Sequence, residues 1–327
     1  KIYTGFSNYK EFNLEKRKKA AEVDIEKWED KREKYKDYRL EWAQSANENF
    51  LPIRPLNVDI DACNLKCKMC AHGIGTVHNV GIMDTALAFR LIDECLEMNV
   101  PSIKFIWRGE PTLHKYLPML VKYAKDNGIL EVGINTNGIS PHKDMFIKLA
   151  EAGIDRLIFS VDGFSKETFE SIRIRGDYNI LWNNIHEVIN NKPLIRVQMV
   201  RQKINAHEVE DFIQYWNQKV EDVRISDVMD RGQFSMGEQI TVGRRRCPQP
   251  FQRLVVARDG RVSPCCADWN QEYILGDVSK GDKLIDLWNN PKMNYVREIQ
   301  NKLEHDKIDI CKNCYVKESY IWEQREQ

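Results

Sequence analysis

From residue 56 onward, short runs rich in aliphatic and β-branched residues alternate with longer stretches whose apolar positions recur every three or four residues. The short runs, at 56–60, 103–107, 131–135, 156–161, 195–200 and 222–228, predict strands. The longer stretches, among them 86–98, 116–127, 143–152 and 209–218, predict amphipathic helices. Regular alternation of strand and helix requires crossover connections and therefore a parallel sheet. The expected fold class is α/β, a partial TIM-type (β/α)6 barrel. Its functional side chains are expected at the C-terminal ends of the strands, where the βα loops converge.

Two regions depart from this pattern. Residues 14–47 are highly charged, contain neither Gly nor Pro, and repeat Ala21, Trp28, Tyr35 and Trp42 every seven positions, with Ile25 and Tyr38 alongside. This predicts a helix with one aromatic stripe, packed on the outside of the barrel or covering a substrate or partner. After about residue 235 the pattern turns to Gly, Arg and Cys, with short β-runs at 253–257 and 261–262, as in a small α+β module. The expected organisation is a helical extension over 1–50, the barrel over 51–235 and the module over 236–327.

Charge adds an exclusion. Lys plus Arg and Asp plus Glu both total 49 in 327 residues, so no net field draws the chain to nucleic acid or a membrane surface. No run approaches the roughly 18 apolar residues of a membrane span, and the first residues are charged rather than signal-like. The expectation is a cytoplasmic protein with neither nucleic acid nor membrane as partner.

Nine cysteines in such a protein point to metal or cluster ligation rather than disulfides. Cys95 stands alone in an apolar-periodic stretch, as a core thiol would. The other eight fall into local groups. Directly after the first strand, Cys63, Cys67 and Cys70 are spaced C-x3-C-x2-C. Three thiolates on one loop can grip three irons of a cubane and leave the fourth open to an exogenous ligand. Zinc, with His72 completing the set, is the competing interpretation.

The next strands end in Trp107-Arg108-Gly109-Glu110-Pro111, Asn135-Thr136-Asn137-Gly138 and Ser160-Val161-Asp162-Gly163. Glycine admits a ligand close to the backbone, and a carboxylate beside it suits a protonated amine. This ordered series resembles the radical S-adenosylmethionine (radical SAM) superfamily over about residues 54–230. The resemblance implies that Cys63, Cys67 and Cys70 hold a [4Fe–4S] cluster whose open iron is chelated by S-adenosylmethionine. One electron then breaks a C–S bond, giving methionine and a 5′-deoxyadenosyl radical.

By the same resemblance, Gly109, Glu110 and Pro111 meet the methionyl amine, and Asn135, Asn137, Ser160 and Asp162 line the cofactor. Asn137 and Asp162 also read as turn formers before Gly. Arg173 joins Ser160 at the cofactor carboxylate, with Arg175 as competitor, and Gln198 and Met199 border its ribose or adenine. The sequence departs from the family at two of these places. Met69 stands where an aromatic residue usually neighbours the adenine, and Arg108 replaces the first glycine of the second motif. The arginine either binds an anionic substrate or pairs with a neighbouring acid.

Cys247 and Cys265 enclose C-x12-G-x4-C, with Asp259-Gly260 as a type I′ hairpin turn, and Cys311 and Cys314 follow as C-x2-C. With Leu275-Gly276-Asp277-Val278 and Leu287-Trp288, this part resembles the SPASM and Twitch modules of the superfamily. Tyr320 stands where a full SPASM module would place its next cysteine. The resemblance therefore implies one auxiliary [4Fe–4S] cluster on Cys247, Cys265, Cys311 and Cys314; a zinc ribbon is the structural alternative. Cys266 is a spare ligand, an inert neighbour or a hydrogen donor to substrate.

The expected activity is oxidation of a sugar-like or cyclitol-like small molecule, with the auxiliary cluster as electron acceptor and flavodoxin or ferredoxin as reductant. Epimerisation with Cys266 as donor and modification of a peptide or protein are the alternatives. The absence of a winged-helix pattern in the first 50 residues weighs against the peptide. Asp268 and His72 are candidate bases, and Asp268 reads equally as a turn residue. A non-catalytic iron–sulfur carrier would have no use for the motifs at 109–111 and 160–163.

Overall fold

The computed structural model describes residues 2–5, 33–35, 37–38, 55–59, 62–77, 80–191, 193–227, 239–244, 246–312, 314 and 318–322. In chain order the barrel comprises β1 (Ile2–Gly5), β2 (Pro55–Val58), α1 (Thr85–Glu97), β3 (Ser102–Phe105), α2 (Leu117–Asp126), β4 (Glu131–Thr136) and α3 (Met145–Glu151). It continues with β5 (Arg156–Ser160), α4 (Lys166–Ile172), α5 (Tyr178–Val188), β6 (Leu194–Arg201), α6 (Val209–Trp216) and β7 (Asp222–Asp227). Then follow β8 (Gln239–Arg244), α7 (Gln249–Gln252), β9 (Leu254–Val256), β10 (Arg261–Ser263) and β11 (Gly276–Asp277). The last elements are α8 (Leu284–Asn289), α9 (Pro291–Asn301), α10 (Asp309–Lys312) and β12 (Glu318–Trp322).

Strands β2 to β7 lie side by side in sequence order, every neighbouring pair parallel. A parallel sheet is covered on both faces, so its strands are nearly continuous apolar runs. Val132, Ile134, Leu157, Phe159, Ile195 and Val197 are accordingly all buried. Helix starts are set by side-chain caps: Asp84 accepts from the Ala86 and Leu87 N–H groups, and Asp177 from Asn179 and Ile180. The result is a partial TIM-type barrel. Its edges are occupied rather than joined: β1 pairs with β7, and β9 pairs with β2.

Strand β1 was not evident from the pattern, and neither was the pairing of β9, expected as a short β-run at 253–257, with the barrel edge. Residues 1–50 read as helical, yet Ile2–Gly5 is a strand, with Ile2 opposite Val223. The C-terminal module continues the barrel sheet, because Leu254 sits opposite Leu56 and β10 and β11 extend the edge antiparallel. The β9–β10 turn also differs from the expected type I′. Gly260 has φ 94° but Asp259 is not left-handed, and the Gly260 N–H donates to the Ala257 carbonyl at 2.9 Å. This is a type I turn followed by a left-handed glycine, a three-residue loop.

Of the aromatic stripe, Tyr35 and Tyr38 fall in the described residues and both are buried, while Ala21, Ile25, Trp28 and Trp42 lie outside them. Tyr35 Oη accepts from Arg156 Nη2 at 3.0 Å, and Arg156 Nε donates to the buried Glu131 at 3.1 Å. Glu131, Arg156 and Leu194 begin β4, β5 and β6. Tyr35 and Tyr38 thus pack under the N-terminal ends of the strands, opposite the end where the βα loops gather.

Candidate active site and cofactor cavity

A cavity of about 550 Å³ opens at the C-terminal ends of the strands. The loop after β2 lines it with Cys63, Cys67, Met69 and Cys70, and the loop after β3 with Trp107, Arg108, Gly109 and Glu110. Asn135, Asn137, Ser160 and Arg173 follow from β4, β5 and the end of α4, and Trp269 and Asn270 come from the C-terminal module.

The cysteine loop is held by backbone contacts. The Lys66 and Lys68 N–H groups donate to the Ile174 and Ile172 carbonyls at 2.9 and 3.1 Å, and the Glu110 N–H donates to Ala62 at 2.7 Å. Gly73 passes so close that a Cβ there would lie 2.1 Å from the Cys67 carbonyl oxygen. Asn137 Nδ2 donates to Asn64 Oδ1 at 2.9 Å, and Asn64 Nδ2 in turn to the Ile139 carbonyl at 2.7 Å. Burial pushes the Cys63 thiol up to about 12, with the Glu110 carboxylate and the Cys67 and Cys70 thiols adding to it. Cys67 is raised by burial too, against the pull of Arg173, whose Nη1 lies 3.9 Å from its sulfur. Three close thiols, Cys67 buried and Cys63 and Cys70 partly buried, suit bound cations that offset thiolate charge.

Glu110 is buried and densely bonded. Its Oε1 accepts from Thr112 N, Thr112 Oγ1 and Thr136 Oγ1 at 3.0, 2.7 and 2.7 Å, and its Oε2 from Asn137 N at 2.6 Å. Burial nevertheless raises its pKa. A carboxylate oxygen has two lone-pair sites, so Oε2 keeps one for a further donor. Arg108 is fixed by Asp59: its N–H donates to Oδ1 at 3.0 Å, and its Nε and Nη2 lie 3.1 Å from Oδ2. Its Nη1 reaches the Trp269 carbonyl at 2.7 Å, while Trp107 Nε1 donates to the Cys266 carbonyl at 2.7 Å.

Arg173 is buried and lines the cavity, whereas Arg175 is exposed. Asp162 does not reach the cavity: it is fully buried, pairs with Arg173 at 2.6 Å, and accepts from Val200 N at 2.8 Å. Gln198 acts at one remove, donating to Ser160 Oγ at 3.1 Å, and Gln202 Nε2 meets Met69 Sδ at 3.0 Å. Pro111 starts a buried 3-10 turn. Met199, expected beside the ribose or adenine, is instead fully buried in the apolar core, because its neighbour Gln198 takes the position toward Ser160.

In the C-terminal module, Cys247 and Cys314 lie near enough to Cys265 for their charges to act on it. A hydrogen bond with the Cys266 thiol, then burial, then the Cys247 and Cys314 thiols raise the Cys265 pKa. Gln300 connects Cys311 to this group, accepting from Cys247 N at 3.1 Å and donating to Cys311 Sγ at 3.4 Å. Cys266 is directed at Cys265 and, at 3.9 Å, Gln249 Oε1, and does not line the cavity. Neither does Asp268, whose oxygens accept from Glu272 N and Tyr273 N at 2.7 and 3.0 Å; burial raises its pKa. It is a turn residue rather than a base at the cavity. His72 is buried outside the cavity wall.

The model of the radical SAM superfamily matches residues 57–215, and that of an iron–sulfur cluster-binding domain, SPASM, matches 247–315. The chain belongs to the radical SAM superfamily. Among its relatives, GTP 3′,8-cyclase of Clostridium botulinum is 29% identical over 187 residues, 55% of this chain and 58% of the cyclase. The chain thus spans little more than half of that relative. The S-adenosyl-L-methionine-dependent 2-deoxy-scyllo-inosamine dehydrogenase of Niallia circulans is 24% identical over 263 residues, 79% of this chain and 91% of the dehydrogenase.

In fold, the chain resembles BtrN in complex with AdoMet and 2-DOIA, with TM-score 0.56 and 21% identity over 81% of this chain and 94% of that one. It also resembles Streptococcus suis SuiB bound to precursor peptide SuiA, with TM-score 0.63 and 12% identity over 81% and 71%.

As a radical SAM protein with a SPASM module, the chain uses S-adenosylmethionine, a [4Fe–4S] cluster and an auxiliary iron–sulfur cluster. The donor chemistry fits: three thiols and the spare lone pair of Glu110 share one cavity, and a separate set of thiols gathers around Cys265. Among the described residues, no helix of this radical SAM chain is long and apolar enough to cross a membrane. Asn64, Asp59, Trp269 and Asn270 are among the site residues that escaped sequence reasoning. Asn64, inside the cysteine motif, could have been found from its place; the other three depend on contacts made only by the folded chain.

Proposed function

We propose that this radical SAM enzyme dehydrogenates a non-anionic, hydroxylated small molecule of the sugar-like or cyclitol-like class. The observation that carries this reading is the state of the cavity arginines. Among the described lining residues Arg108 and Arg173 are the cations, and each is held by a buried aspartate, Asp59 or Asp162. A phosphate or carboxylate on the substrate calls for a guanidinium whose donors are available. The near-complete coverage of the inosamine dehydrogenase supports the same choice.

In this reading Cys63, Cys67 and Cys70 hold the first cluster, and Cys247, Cys265, Cys311 and Cys314 the second. Glu110 receives the cofactor amine on Oε2, and Arg173 offsets negative charge at Cys67. When bound, S-adenosylmethionine and the two clusters supply a hydrogen-abstracting radical and an electron acceptor. Trp107 and Trp269 offer apolar surface to the C–H groups of a ring, and Asn270 offers an amide to its hydroxyls. Trp107 also ties this wall to the Cys266 carbonyl, one residue from Cys265. Oxidation is favoured over epimerisation because the Cys266 thiol turns to Cys265 and Gln249.

The test is 5′-deoxyadenosine formation by dithionite-reduced enzyme with an aminocyclitol and with its phosphate ester. The aminocyclitol should stimulate it and the ester should be at least about tenfold weaker. Preference for the ester, or stimulation by peptides alone, would overturn the reading.

A further inference from the structure

The outer side of the cysteine loop carries an exposed patch that the cavity does not use. Cys67 and Arg173 point inward, 3.9 Å apart, while their neighbours Lys66, Lys68 and Ile174 are exposed. The backbone bonds from Lys66 to Ile174 and from Lys68 to Ile172 align the two segments. Arg175 follows, exposed at φ 71°, a conformation in which glycine would be unstrained. The Gln202–Met69 contact brings the next loop alongside, with Lys203 and Ile204 exposed. Ile174 and Ile204 are 36% and 47% exposed.

Lys66, Lys68, Arg175 and Lys203 make no ion pair among the described residues. Among the described acids near Arg175, Glu170 faces Lys166, while Asp177 is exposed, caps α5 and keeps its charge. The four exposed cations outnumber Asp177, so in a chain that is neutral overall the patch carries a local positive surplus around two apolar contacts. Small electron-transfer interfaces combine an apolar centre with a charged rim that steers encounter.

We infer that this patch docks an acidic one-electron carrier protein that reduces the cluster held by Cys63, Cys67 and Cys70. The inference rests on that ligand assignment. Lys66 and Lys68 flank Cys67 on the solvent side while its thiol lines the cavity, so a carrier reaches the cluster from behind the loop and leaves the cavity to cofactor and substrate. One electron passes from the carrier to the cluster, and the carrier is left oxidised by one electron.

The experiment reverses the four charges as Lys66→Glu, Lys68→Glu, Arg175→Glu and Lys203→Glu, using holoenzyme and an acidic flavodoxin as probe. The flavodoxin Kd should rise about tenfold at low salt and lose most of its salt dependence. Flavodoxin-driven 5′-deoxyadenosine formation should fall in parallel, while the dithionite-driven rate stays within about twofold, since a small reductant needs no docking. A fourfold glutamine set should give a smaller loss in the same direction and guards against misfolding of the reversal variant. Unchanged flavodoxin binding in both sets, or equal loss with both reductants, would overturn the inference. Cys67→Ala tests the assignment beneath it separately: it should abolish the dithionite-driven rate, and a retained rate would remove the basis for docking.

Discussion

Arg108 and Asp59 form a buried pair in which both carboxylate oxygens are used, with contacts of 3.0 to 3.1 Å from the backbone N–H, Nε and Nη2. Asp59 directly follows β2, and Arg108 lies in the loop after β3 that carries Glu110. Through Nη1, the same guanidinium holds the Trp269 carbonyl. One side chain therefore joins the loop after β3 to the cavity wall supplied by the C-terminal module.

Removing Arg108 strands a buried carboxylate. Arg108→Met should cost about 3–5 kcal/mol of stability, whereas Asp59→Asn with Arg108→Met should cost clearly less than the two single changes summed. Chemical denaturation of the four proteins completes the cycle. Additive costs would show that the pair is not coupled.

The loop after β5 is pinned by Glu208, which accepts from Phe164 N, Ser165 N, Ser165 Oγ and Thr168 Oγ1. Burial works to raise its pKa, but these four donors outweigh it and hold the carboxyl below its ordinary value. A depressed folded pKa adds stability above the unfolded value of about 4.3, and that stability is lost as pH falls through the folded value. Glu208→Gln should destabilise the protein by about 1–3 kcal/mol at pH 7, and the gap to the parent should shrink steadily below about pH 4.5. Urea titrations across this range would detect a gap that fails to narrow.

Gly73→Ala should prevent assembly of the first cluster, because the added carbon would meet the Cys67 carbonyl at 2.1 Å. Iron and sulfide analysis after reconstitution should show about four irons fewer than the parent, with the auxiliary cluster retained. A full complement would mean that the loop accommodates the methyl group.

Much of this was legible in the sequence where the signal is local. Strands 131–136 and 156–160 announce themselves by buried apolar runs, and the thiols of Cys63, Cys67 and Cys70 share one cavity wall, as their spacing led one to expect. What depends on tertiary contact was not legible. Trp269 and Asn270 enter the cavity because β9 adds to β2 at the barrel edge, pairing Leu254 with Leu56. Arg173 and Arg175 look alike in sequence, and it is Asp162 and Cys67 that draw the first inward. Asp268 has the chemistry of a base, but its oxygens are taken by two backbone N–H groups.

Cys265 and Cys266 should behave differently despite being adjacent. Cys265→Ala should lose the auxiliary iron and substrate oxidation, whereas Cys266→Ala should keep about eight irons per chain and the same product. Loss of auxiliary iron in Cys266→Ala would make it a ligand, and trapped or unrepaired product would make it a hydrogen donor.

Label transfer tests most directly whether hydrogen is abstracted from a carbon bearing a hydroxyl in a non-anionic small molecule. Reduced enzyme, S-adenosylmethionine and an aminocyclitol deuterated at its carbinol carbons should give singly deuterated 5′-deoxyadenosine and a ketone free of solvent hydrogen at the oxidised position. Unlabelled 5′-deoxyadenosine, or a product carrying solvent hydrogen at an inverted carbon, would contradict the account.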